Sequence, residues 1–159
     1  MLRKLLGVAL IATLFVACKG KTAVDFNDKL VMVQSNLNLY VNNEEMKASK
    51  YFEEGKFDSI YALGSRLETF VQSKIDEVEK VKTPDLPQAE NFKSAYLKAY
   101  KVLKEIYTMY KAIGIAKTDE ERQTLVEKVQ VLVDEKDEAS KDMLAAQRIF
   151  ATTNDIKLK

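Results

Sequence analysis

The chain has 159 residues, a length that suits one domain, and its 25 lysines and arginines against 24 acids leave a formal charge of +1. That balance provides no basic excess to hold a nucleic-acid backbone. Histidine is missing and cysteine occurs once, which excludes Ser-His-Asp and Cys-His catalysis, histidine-ligated zinc or haem, and any intrachain disulfide.

Met1-Leu2-Arg3-Lys4 forms a positive start, and an apolar or small run follows from Leu5 to Phe15. This is the pattern of a secretory signal. As a helix, residues 5–17 would reach roughly 20 Å against a hydrocarbon core of about 30 Å, too short to span. Phe15-Val16-Ala17-Cys18 resembles the lipobox of bacterial lipoproteins, with Phe15 where leucine is more usual. The resemblance implies cleavage between Ala17 and Cys18 and a diacylglyceryl group on the Cys18 thiol. Two or three acyl chains make a stable anchor, at about 0.8 kcal/mol per buried methylene. Lys19-Gly20-Lys21-Thr22 carries neither an aspartate directly behind the cysteine nor an acidic cluster. An outer-membrane lipoprotein facing the periplasm is therefore expected, with the cell surface as the alternative. The expected organisation is a signal over 1–17, a lipidated tether over 18–22 and a helical domain over 23–159. Removal of the signal takes away Arg3 and Lys4 and leaves a domain close to neutral.

Beyond the tether, apolar residues recur at intervals of three and four in four segments. The first, over 23–52, carries Phe26, Leu30, Val33, Leu37, Tyr40 and Val41 on one face, and Gly55 suits a left-handed cap behind it. The second runs over 58–82 with Asp58 as its expected N-cap, and carries Ile60, Leu63, Leu67, Val71, Ile75 and Val78. Pro84 and Pro87 break the chain, and Pro87 suits the first position of a third helix. That helix carries Phe92, Tyr96, Ala99, Val102, Leu103, Ile106, Met109 and Ile113 and ends near Gly114. Thr118-Asp119-Glu120-Glu121 reads as a capping box opening the fourth, which runs to about residue 150 through Leu125, Val129, Leu132, Ala139, Met143, Ala146 and Phe150. Lys136 interrupts this last stripe, its stem suited to an apolar surface and its ammonium to water. No segment alternates with period two. Long helices joined by short connectors predict an all-α, antiparallel up-down-up-down four-helix bundle about 40 Å long.

Four tyrosines, Tyr96, Tyr100, Tyr107 and Tyr110, share a flank of the third helix. They suit a ligand crevice or a partner surface, or more plainly a core boundary with hydroxyls in water. Asn27, Gln34 and Asn38 form a polar stripe on the first helix, either solvated or turned inward to form an interhelical network or to contact a small ligand. The acidic clusters lack calcium-loop spacing, and Asp76 with Lys80 and Asp137 with Lys141 have helical ion-pair spacing, so these read as solvated faces. Gly64, inside the second helix, suits a close helix approach. No catalytic residue, metal site or cofactor is expected.

Ala23-Val24-Asp25-Phe26-Asn27-Asp28-Lys29-Leu30-Val31 resembles the start of small helical lipoproteins from Bacteroidota-type bacteria. The resemblance covers at most the N-terminal third and implies location and helical fold. The functional expectation is a non-enzymatic, lipid-anchored bundle that binds or scaffolds an envelope partner and takes no nucleic acid. The alternatives are a small-ligand carrier with a tyrosine-lined crevice and, more remotely, a hydrolase built on carboxylates.

Overall fold

The computed structural model describes the backbone of residues 2–158 and the side chains of residues 20–158. The expected cleavage and lipidation site, Ala17 and Cys18, lies outside the described side chains. Four helices follow one another: α1 (Leu2–Glu53), α2 (Phe57–Lys80), α3 (Ala89–Ile115) and α4 (Asp119–Thr153). Among the described residues there is no strand, and no helix is long and apolar enough to cross a membrane.

The helix ends show why the connectors are short. Gly55, at φ 62°, closes α1 with two bonds, from the Lys56 amide to the Tyr51 carbonyl at 2.9 Å and from the Gly55 amide to the Phe52 carbonyl at 3.2 Å. This reciprocal pattern suits a residue without a Cβ. The Thr118 hydroxyl accepts from the Glu121 amide at 3.1 Å while the Glu121 carboxylate takes the amides of Lys117 and Thr118, completing the expected capping box. Two caps depart from expectation. Lys56, not Asp58, stands at the start of α2; Asp58 lies inside the first turn, where its charge favours the helix dipole without a capping bond. At α3 the chain enters through Gln88 at φ 65°, so Pro87 lies outside the helix, and its carbonyl accepts from Asn154 at 3.0 Å.

The stripes meet as an up-down-up-down four-helix bundle. α3 packs extensively on both α2 and α4, and α1 on α2, whereas α1 and α4 touch at few points. Close approach of α2 and α3 depends on Gly64: a Cβ there would lie 2.9 Å from the Lys111 amide nitrogen and the Tyr107 carbonyl oxygen. At one end Phe26, Phe92 and Phe150 join α1, α3 and α4. Phe92 stacks on Phe150 at 5.1 Å, and Phe26 stands edge-on to both. Beside them the Gln147 amide donates to Asn27 at 3.0 Å, closing the α1–α4 seam at that end. Farther along, the two helices part.

The ion-pair spacings resolve differently from the sequence reading. Asp76 accepts from Gln72, four residues before it, at 2.7 Å, and Asp137 pairs with its neighbour Lys136 at 2.9 Å. Both carboxylates remain on solvated faces.

Candidate ligand-binding groove

Where α1 and α4 part, a groove of about 280 Å³ opens over α3. Gln34, Asn38, Asn42 and Glu45 line one wall, and Lys136, Ser140 and Leu144 the other. The periodicity of α1 explains the first wall: steps of four and three place these residues on one flank, beside the core positions Leu37 and Val41. The floor is aliphatic, built from Leu37, Val41, Ala99, Leu103 and Met143, with Tyr100 also on the lining.

Two tyrosines of α3 hold the polar wall in place. The Tyr96 hydroxyl donates to Gln34 Oε1 at 3.0 Å, and the Tyr107 hydroxyl donates to Glu45 Oε1 at 2.6 Å. Donor and acceptor are 62 residues apart in both cases. α1 and α3 run parallel across the bundle diagonal, so the two bonds repeat one register three turns apart. Both tyrosine side chains are fully buried. Their acceptors are thereby fixed from below, leaving the Gln34 amide nitrogen and the second Glu45 oxygen without a protein partner among the described residues.

The tyrosine flank therefore acts otherwise than as a boundary. Tyr96, Tyr100 and Tyr107 belong to the core, and Tyr110 is half-buried with its ring edge-on to Phe52 at 5.7 Å. None of the first three offers a surface to a partner. Burial pushes all four hydroxyls above the usual tyrosine range, Tyr110 up to about 12, and the bond to Glu45 adds to the effect at Tyr107. Tyr100 differs from its neighbours: its hydroxyl is buried and has no hydrogen-bond partner. An orphaned buried hydroxyl costs roughly 1–3 kcal/mol.

The polar stripe of α1 divides into three roles. Asn27 is buried against Gln147, Gln34 is held by Tyr96, and Asn38 is exposed on the groove wall. Sequence reasoning counted Glu45 among the acids of solvated faces and passed over Ser140. Two signs of the groove were visible: the polar stripe through Gln34 and Asn38, and Lys136, a cation in an otherwise apolar stripe. Its stem lies along the lining, and its ammonium meets Asp137. Lys136 and Glu45 face the same space and form no direct ion pair.

Away from the groove, the α2–α3 face is closed by bonds of its own. Lys111 pairs with Glu68 at 2.6 Å and Thr108 donates to the same carboxylate at 2.8 Å, together holding Glu68 below the usual carboxylate range. Among the described residues no group of three or more acids and cysteines is placed to hold a metal ion. Comparison with protein families, with curated proteins and with solved structures yields no match.

Proposed function

We propose that this protein is a lipid-anchored, non-enzymatic binding module of the cell envelope, tethered through Cys18 and acting by contact with an envelope partner. The single observation that carries the reading is the lone cysteine directly behind a positive start, an apolar run and small residues. The packing is compatible with a short tether: Ala23 is already fully buried, so residues 18–22 span at most about 17 Å. The bundle would then stand close to the bilayer, on the outer membrane and facing the periplasm. Replacing Cys18 by serine tests the anchor. The variant is expected to retain its signal and to take up no acyl group; unchanged processing and acylation would show the lipoprotein reading to be wrong.

A second reading, the small-ligand carrier, is favoured by the groove between α1 and α4. Mass spectrometry of small molecules released from the purified protein tests it, a reproducible ligand supporting it and an empty extract counting against it. The hydrolase reading gains nothing from the groove, where Glu45 is the one carboxylate on the lining.

A further inference from the structure

We propose that the α1–α4 groove binds a small zwitterion with an apolar side chain, of the amino-acid class, its ammonium at Glu45 and its carboxylate at Lys136. This rests on the carrier reading and is independent of the lipid anchor. The charges of the two walls are opposite, face one space and are not joined to each other. Glu45 is not a drifting surface acid, because the buried Tyr107 hydroxyl fixes one of its oxygens at 2.6 Å and leaves the other available. Lys136 holds only its exposed neighbour Asp137, a partner that a ligand carboxylate can displace at little cost. A zwitterion bridging the walls satisfies both charges at once.

The remaining lining narrows the ligand further. Gln34, Asn38, Asn42 and Ser140 supply neutral donors and acceptors along the rim, while Leu37, Val41, Leu103 and Met143 form a continuous aliphatic floor. A sugar would press hydroxyls against that floor with no partner. A divalent cation would find one carboxylate where it wants six or more oxygens. A long acyl chain would exceed about 280 Å³ and meet a polar wall along its whole length. An aliphatic amino acid has the apolar body, the two charges and the size.

The test is calorimetric titration of the full lipidated chain in detergent with L-leucine, N-acetyl-L-leucine and L-leucinamide. Leucine is expected to bind, and each analogue, lacking one charge, at least about tenfold more weakly. Glu45→Gln should remove the advantage of leucine over the N-acetyl compound, and Lys136→Gln its advantage over the amide. Circular dichroism of each variant identifies one that fails to fold, and the analogues make the same comparison on the unaltered chain. No leucine binding at millimolar concentration, or equal affinity for all three compounds, overturns the proposal. A copurifying ligand that is not a zwitterion also overturns it while sparing the carrier reading. Cys18→Ser should bind leucine as the parent does, which separates failure of the groove from failure of the anchor.

Discussion

At Gly64 two local preferences oppose each other, and distances decide between them. Alanine in a helix interior is favoured over glycine by about 1 kcal/mol. Here its Cβ would stand 2.9 Å from two backbone atoms of α3 and from the Tyr110 Cβ, none of which can turn aside as a flexible side chain would. Such overpacking typically costs 1–3 kcal/mol. The clash should exceed the propensity gain, so Gly64→Ala is expected to destabilise the fold by up to about 2 kcal/mol in urea denaturation. An unchanged or raised midpoint would mean that the α2–α3 contact yields. The same scale shows why the tyrosines were misplaced from sequence. A tyrosine beside an apolar stripe belongs at a boundary unless something buried accepts its hydroxyl. Gln34 and Glu45, the acceptors, lie 62 residues away on a diagonal helix, and no local pattern joins them.

Among the elements, α4 is divided along its length. From Ala139 onward it buries Ala139, Met143, Phe150 and Ala151, whereas residues 119–138 include no fully buried side chain. Val126 and Val131 are exposed in that first half. The half is held by its capping box, by the Arg122 guanidinium 4.0 Å over the Phe57 ring and by partly buried Val129 and Leu132 against the core. Sparse burial lowers the free energy of local opening. Amide hydrogen exchange over 122–138 is therefore expected to outpace that over 139–153 while the core of α3 remains protected. Equal protection along α4 would show that the α1–α4 seam is closed in solution. Helix number, order and the Thr118 cap were legible because they depend on spacings within one segment. The groove was not, because it exists where two helices distant in sequence fail to meet. Both walls are individually ordinary: an Asn/Gln stripe, and a stripe with one lysine in it.

For the molecule as a whole, the buried tyrosines couple the fold to alkaline pH. Desolvation raises the folded-state pKa of Tyr96, Tyr100 and Tyr107 above the ordinary value of about 10, while the unfolded chain keeps that value. A group raised on folding contributes stability that is fully present below its unfolded pKa and is lost as pH rises towards its folded pKa. The unfolded chain then binds fewer protons than the folded one. Above pH about 10 each such tyrosine withdraws roughly 1.4 kcal/mol per pH unit, so three together withdraw about 4. A small domain has about 5–15 kcal/mol in total. About one to four pH units above 10 should therefore exhaust it. The expected result is a cooperative step in tyrosinate absorbance, coincident with loss of helical circular dichroism. Tyr107→Phe should move that step to higher pH relative to the variant's own neutral-pH stability, since one of the three proton-releasing groups is gone. Gradual ionisation of all the tyrosines with helicity intact would place their hydroxyls in water, and the support of the groove wall through Gln34 and Glu45 would fail with it.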